Sequence, residues 1–382
     1  MSMIKGDPVK KVLLTATVQS HIAQFHRPLA EVLHEHGYEL YVAARNNLGE
    51  KNGLSLDFAD KVFDVPFSRS PKSPDNVKAY FQLKKILAAD TYDVVHCNTP
   101  MGGSITRLAA VKARKHGTRV FYTAHGFHFY KGASKKNWLF FYPVEKIMAG
   151  FCDTLITITK EDRRLAGQKF HTNVEHIHGV GVYTERYHAV SDAEKLQMRS
   201  KERLKDSDFV ILCTGELNQN KNQKALIKAA AELKESIPGL KILLAGNGPL
   251  EQELRMQIRE LGVEDAVRLL GYRTDLEKVT PAADLVVSCS YREGLPLNIL
   301  EAMLCRKPVV ASVNRGHREL VRTGYNGYLV SPDSPAEYAE AIRKIYSSRK
   351  HAEQLGENGY HMAQPYTAVS VKKELSRIYQ LD

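Results

Sequence analysis

Ser290-Tyr-Arg-Glu-Gly-Leu-Pro-Leu-Asn-Ile-Leu-Glu-Ala-Met303 sets two carboxylates, Glu293 and Glu301, on either side of a Gly-Pro turn that opens a helix. Pro296 suits the first helical turn, where its missing N–H costs nothing. The backbone N–H groups from Gly294 through Leu295 to Leu297 are then free to meet an anion, as at other helix N-termini. Glu293 lies in the loop and Glu301 about a turn into the helix. Phosphates at the helix tip, sugar hydroxyls on Glu293 and ribose hydroxyls on Glu301 would together describe a nucleotide sugar. Negative charge is favoured at any helix start, so two isolated glutamates would mean no more than that.

The neighbouring sequence decides otherwise. Pro308-Val-Val-Ala-Ser312 and Gly316-His-Arg-Glu-Leu-Val321 follow in fixed order. Together these stretches resemble the E-x7-E, PVVAS and G-x-x-E-L-V series of glycosyltransferase family 4, which are retaining enzymes. The resemblance covers most of the chain and implies a GT-B fold: two Rossmann-like doubly wound α/β domains facing a central cleft.

The strands fit that expectation. In the first half, apolar runs at Lys11–Thr17, Tyr38–Ala44, Asp93–Cys97, Arg119–Ala124 and Thr154–Ile158 alternate with helical stretches, one of them expected from His21 to His36. The second half restarts with Phe209–Thr214, Leu240–Ala245, Val267–Leu270, Leu285–Ser288 and Pro308–Ala311. Short apolar runs between helices predict parallel sheets covered on both faces. A chain of 382 residues is long for a single core. The expected division is an acceptor- and membrane-facing domain over 1–186, a nucleotide-sugar domain over 187–365, and a last helix over 366–382 that rejoins the first.

Composition bounds the class. Hydrophobic residues make up 43% and charged residues 25% of the chain, as in a soluble globular protein. The N-terminal Met1–Asp7 has no apolar leader pattern, and no stretch reaches the ~20 apolar residues of a membrane span. Cys97, Cys152, Cys213, Cys289 and Cys305 lack C-x-x-C spacing and read as buried thiols. Residues 1–185 hold 25 Lys/Arg against 17 Asp/Glu, so the first half carries most of the net charge of +11. A basic half suits a phosphorylated substrate or an anionic lipid surface. No nucleic-acid-binding motif is present, so nucleic acid is not an expected partner.

Further residues acquire roles through the resemblance. Thr214-Gly-Glu-Leu-Asn-Gln-Asn-Lys221 stands where family members carry G-R-L-x-x-x-K. Gly215 and Lys221 match, with Lys221 expected on the diphosphate, whereas Glu216 replaces the arginine. Gly246 and Gly248, in Ala245-Gly-Asn-Gly-Pro249, match the G-x-G-P loop beside the nucleotide, where glycine lets backbone approach a ligand. Gly271-Tyr272-Arg273 matches the loop that meets the base. His125, in Thr123-Ala-His-Gly126, matches a histidine beside the donor sugar; His128 reads as part of an aromatic cluster. Glu293 and His125 are therefore the expected catalytic residues. Ser20 and His21, in an H-x4-H-x-P pattern completed by His26 and Pro28, and Asn98 with Thr99 are candidates for the acceptor side. His96 reads as structural. The stretch Phe127–Met148 interleaves aromatics with Lys131, Lys135 and Lys136, which suits peripheral contact with an anionic membrane as well as a core helix.

These resemblances imply a glycosyltransferase using a UDP-sugar, first of all UDP-N-acetylglucosamine. The implied acceptor is a polyprenyl-diphosphate-linked sugar in exopolysaccharide or capsule assembly at the inner face of the plasma membrane. No metal or other cofactor is expected. Two other readings fit the same fold: a UDP-sugar 2-epimerase, and a non-catalytic partner subunit that binds sugar nucleotides. The intact Glu293, Glu301, Lys221 and His125 favour the transferase over the latter.

Overall fold

The structure, a computed structural model, describes residues 9–50 and 53–381. The N-terminal Met1–Asp7, read above for its lack of a leader, lies outside them. The chain forms two compact units, one ending at Gly181 and regaining the segment from Ala368, the other spanning Val182–Thr367. The division thus falls before the expected 186/187. Val182 N–H donates to the Tyr366 carbonyl at 3.0 Å, which binds the two ends of the second unit to each other.

In the first unit, β1 (Lys11–Val18), β2 (Glu39–Arg45), β3 (Lys61–Asp64), β4 (Val94–Asn98), β5 (Arg119–Ala124), β6 (Thr154–Thr157) and β7 (Asn173–His176) form one sheet ordered β3-β2-β1-β4-β5-β6-β7. The second holds β8 (Phe209–Thr214), β9 (Leu240–Ala245), β10 (Val267–Gly271), β11 (Leu285–Ser288), β12 (Val309–Ser312) and β13 (Gly327–Val330), ordered β10-β9-β8-β11-β12-β13. Neighbouring strands are parallel throughout. Central strands are apolar on both faces because helices cover both: Val12, Leu13 and Leu14 of β1, and Val94 and Val95 of β4, are fully buried. The strand order reverses between β1 and β4 and again between β8 and β11. Loops leaving the carboxyl ends at such a switch point diverge and leave a crevice for ligands.

The expected helix from His21 to His36 is two helices, Gln19–Phe25 and Arg27–Glu35, joined at His26. Pro28 sits in the first turn of the second helix, where its missing N–H is tolerated, and it could not have continued the first. The edge strands β3, β7 and β13 have no counterpart in the sequence reading. Each is four residues long and paired on one side only, so none needs a long apolar run. All five cysteines are buried and unbridged, as their settings implied.

The helix Lys135–Ala149 turns Trp138, Tyr142, Glu145, Met148 and Ala149 toward the first unit's core. It is anchored by a buried ion pair. Arg107, fully buried in the helix Pro100–Ala109, reaches Glu145 Oε2 at 3.1 Å and lies 3.9 Å from the centre of the Tyr122 ring. The Tyr122 hydroxyl donates to Glu145 Oε1 at 3.1 Å. Trp138 and Tyr142 are thus core contacts, whereas Leu139, Phe140, Phe141, Val144 and Ile147 point outward; Phe140 and Ile147 are each 66% exposed. Among the described residues, no helix is long and apolar enough to cross a membrane.

Candidate functional site

In the second unit, the loops leaving β8 and β11 meet. Lys221 Nζ lies 2.6 Å from Glu293 Oε1, with the two side chains only 25% and 15% exposed. Residues seventy-two apart in sequence, each singled out by its motif, are therefore one ion pair at the switch point. Lys221 lies across Gly215, where a Cβ would come within 3.2 Å of its Cε. The Glu293 loop is fixed from several sides. Ser312 Oγ and Asn314 Nδ2 both donate to the Ser290 carbonyl, at 2.6 and 2.7 Å. Tyr291 N–H donates to the Asn220 carbonyl, and Asn220 Nδ2 donates to that of Arg292.

His317 lies beneath this loop, with Nδ1 2.7 Å from the Ser312 carbonyl and Nε2 3.0 Å from Ser288 Oγ. Burial pushes its pKa down to about 4, so the ring is neutral near pH 7 and shares hydrogen bonds without adding charge beside Glu293. Gly316 closes the arrangement. A Cβ there would sit 2.5 Å from the Gly294 carbonyl oxygen and 2.9 Å from Glu293 Cβ. Gly316→Ala is therefore expected to move Glu293 and lower transfer on the order of 10²-fold, the scale of an ångström's misplacement. A kinetic assay beside a melting curve tests this: near-normal kcat/KM in a folded variant would refute it. Asn220, Asn314 and His317 were not singled out from sequence. A histidine just after the PVVAS strand was their only visible sign.

Pro296 stands one position ahead of the helix Leu297–Leu304, as its N-cap with extended backbone, and not within the first turn. Leu295 and Leu297 are half-buried. Glu301, within the helix, is half-buried and hydrogen-bonded to Tyr187. Burial pushes its pKa up to about 7, against opposing pulls from Tyr187 and Arg186. A carboxyl raised in the folded state favours folding at low pH, and that contribution is lost as pH rises from its ordinary 4.5 through about 7. If ribose hydroxyls donate to the ionised form, UDP binds up to about tenfold tighter near pH 8 than near pH 6. Titration calorimetry with Glu301→Gln as reference isolates this effect. An identical pH dependence in the variant would count against the ribose role.

Gly246 and Gly248 serve a purpose the sequence reading did not assign. A Cβ on Gly246 would lie 2.0 Å from the Gly215 carbonyl oxygen, and one on Gly248 2.5 Å from that of Leu217. These glycines let two loops of the protein pack on each other; Leu217 N–H donates to the Asn247 carbonyl and Leu250 N–H to that of Leu217. The Arg273 guanidinium is engaged by Glu202 and Asp275, each at 2.7 Å, while Tyr272 is 48% exposed. Glu216 is exposed and accepts from Asn218 Nδ2.

The first unit gathers its candidates at the carboxyl ends of β1, β4 and β5. His125 Nε2 lies 3.0 Å from Asn98 Oδ1, and the His21 ring stands edge-on to His125 at 4.5 Å. Ser20 is buried and bound to Asn47 through both its N–H and its hydroxyl. Thr99, at φ 64°, joins its hydroxyl to that of Thr17 at 2.7 Å. Ser20 and Thr99 thus fasten the loops around the histidines. His96 bridges the Tyr379 and Thr123 hydroxyls at 2.6 and 2.7 Å, which fits a structural role. His128 stacks on Phe141 at 4.6 Å, within the expected aromatic cluster.

Comparison with known proteins bears on these features. The pattern described as Glycosyltransferase Family 4 matches residues 24–181, and that of Glycosyl transferases group 1 matches 194–362. EpsD of Bacillus subtilis (strain 168), which bears the name of a glycosyltransferase, is 42% identical over 372 residues, 97% of this chain and 96% of its own. The chain belongs to glycosyltransferase family 4. Another relative, from Escherichia coli, is 27% identical over 78% of this chain and 79% of its own. It is named UDP-Gal:alpha-D-GlcNAc-diphosphoundecaprenol alpha-1,3-galactosyltransferase. Anabaena HepE, solved in complex with UDP, superposes with a TM-score of 0.78 at 23% identity, covering 97% of this chain and 99% of its own. The two doubly wound units are those of the GT-B fold, and the family activity is glycosyl transfer.

Proposed function

We propose that this glycosyltransferase moves a sugar from a UDP-sugar, UDP-N-acetylglucosamine as first candidate, to a polyprenyl-diphosphate-linked sugar during exopolysaccharide or capsule assembly, with retention of configuration and without a metal. The observation that carries the donor site is the Lys221–Glu293 contact at the β8/β11 switch point. In the free protein each partner offsets the other's charge. With donor bound, Lys221 turns to the diphosphate and Glu293 accepts from sugar hydroxyls. Glu301 takes the ribose, Gly294 to Leu297 meet the phosphates, and the loop at Tyr272 and Arg273 borders the base. His125 hydrogen-bonds the donor sugar or the charge developing on it.

The bond from anomeric carbon to phosphate breaks as the acceptor oxygen bonds from the leaving-group face, and the departing phosphate takes the acceptor's proton. Fixed positive charge and backbone dipoles stabilise that departure. The acceptor reading is supported by the E. coli relative, whose name specifies a diphosphoundecaprenol-linked sugar. Labelled UDP- and GDP-sugars, supplied with lipid-linked acceptor and EDTA, test the assignment. Label entering the lipid from one UDP-sugar is expected. Epimerised donor without transfer, or transfer only after Mg2+ or Mn2+ is restored, would refute it.

The lipid acceptor also fits the outward face of Lys135–Ala149. Leu139, Phe140, Val144 and Ile147 are exposed there beside the exposed Lys131, Lys135, Lys136 and Lys146. An apolar strip rimmed by lysines suits an anionic bilayer surface. Phe140→Ser with Ile147→Ser is expected to weaken binding to vesicles containing phosphatidylglycerol by at least about tenfold, since two large side chains lose their burial. Flotation assays check it; equal flotation of parent and variant would remove this helix from the reading.

A further inference from the structure

Three imidazoles converge in the first unit. His21 lies in the helix Gln19–Phe25, His26 caps its end, and His125 follows β5. One ring nitrogen of each lies within 4.8 Å of the others. Ring centres are 4.5 Å apart for His21 and His125, and 5.6 Å for both His26 and His125 and His21 and His26. Nε2 of His21 and Nε2 of His26 are buried without a hydrogen-bond partner. An unpaired buried polar atom costs about 1–3 kcal/mol. Two on adjacent rings therefore point to a shared partner held between them.

The third ring is prepared by its neighbour. Asn98, fully buried, donates Nδ2 to the Thr15 carbonyl at 3.3 Å, which directs Oδ1 at His125 Nε2. A carbonyl oxygen only accepts, so Nε2 carries the proton and Nδ1 keeps its lone pair. Carbonyl partners fix metal-ligating histidines in the same way. Burial holds all three rings neutral, with His125 pushed down to about 4 and His21 and His26 well below the ordinary histidine range. Neutral nitrogen donors without a carboxylate favour a borderline-soft cation over magnesium or calcium.

We propose that His21, His26 and His125 form a binding site for a divalent transition-metal ion, zinc by preference, with a fourth position open. Zinc–nitrogen distances of about 2.0–2.1 Å would need the three nitrogens to close to roughly 3.4 Å, which modest ring rotations supply. The ion would clamp the helix Gln19–Phe25 to the end of β5. This nitrogen site differs in kind from the oxygen-bound magnesium or manganese of metal-dependent diphosphate chemistry. With Nε2 on Asn98 and Nδ1 on the ion, His125 could not also meet the donor sugar, so ion and donor would compete for that ring.

The test uses the full chain, stripped with a chelator and desalted, then titrated with Co2+ as a spectroscopic substitute and separately with Zn2+. The expected result is one retained ion per chain, with the intense visible absorption of four-coordinate cobalt. His26→Ala and His21→Gln should each abolish retention in chains that still unfold cooperatively, and Asn98→Ala should weaken it about 10–100-fold. His116→Ala, at an exposed histidine, should retain the ion. Failure of the parent chain to retain either ion, or equal retention by folded His26→Ala and His21→Gln, would overturn the proposal.

Discussion

Glu293→Gln is expected to reduce sugar transfer by on the order of 10²-fold or more, with a smaller change in donor affinity. The amide keeps the size of the side chain but not the charge that pairs with Lys221 Nζ at 2.6 Å and that is proposed to accept sugar hydroxyls. Lys221→Met should act on the same unit from the phosphate side. Each single change also leaves a half-buried charge without its partner. The double variant is therefore expected to lose much less than the product of the two single losses, because interacting residues are not additive. Steady-state rates for the four proteins, with UDP affinity measured alongside, decide it. Full additivity would mean that the contact is incidental, and undiminished transfer by Glu293→Gln would remove the residue from the site.

Arg107→Met is expected to destabilise the first unit by about 3–5 kcal/mol, because it leaves Glu145 as a buried charge without its partner. Arg107 also donates through Nε to the Gly103 carbonyl at 3.1 Å, so the change frees the helix Pro100–Ala109 as well. The double variant Arg107→Met/Glu145→Leu should recover part of the loss, since a matched apolar pair avoids the unpaired charge. The single tryptophan, Trp138, packs on Phe129 and Tyr142 in this unit and reports its unfolding. Urea unfolding followed by its fluorescence gives the comparison. A single variant with an unshifted midpoint would show that the pair contributes little. The same anchor holds the helix whose outer face is proposed to meet the bilayer, so Arg107 variants should also weaken vesicle binding.

The central strands were legible because each is a short apolar run between helices, and Arg119–Ala124, Phe209–Thr214, Leu240–Ala245 and Leu285–Ser288 begin and end where expected. The polar edge strands β3 and β7 escaped because half their surface faces water and their residues need not be apolar, whereas the edge strand β10 was legible as an apolar run. The break at His26 was signalled by Pro28, but the surrounding helical periodicity outweighed one proline. The interleaved aromatic and basic residues of Phe127–Met148 read equally as membrane contact or as a core helix. Which aromatics met the core depended on Arg107 and Tyr122, and those come from elements distant in sequence.

For the candidate site, local motifs were enough to name Glu293, Glu301, Lys221 and His125, because a motif records the residue types a ligand requires. What they could not supply was distance. Lys221 and Glu293 form a pair only because β8 and β11 are adjacent at the point where strand order reverses, and that adjacency is a property of the sheet. The same holds for Gly246 and Gly248, which the sequence offered to a ligand and the fold gives to the backbone of the neighbouring loop. His21, His26 and His125 converge for a related reason. The carboxyl ends of β1 and β5 bring them together. The sequence by itself determined the family, the alternation of strand and helix, and the candidate residues for the donor site. Only the tertiary structure decided which of those side chains touch, because parallel-sheet order joins segments that sequence separation keeps apart.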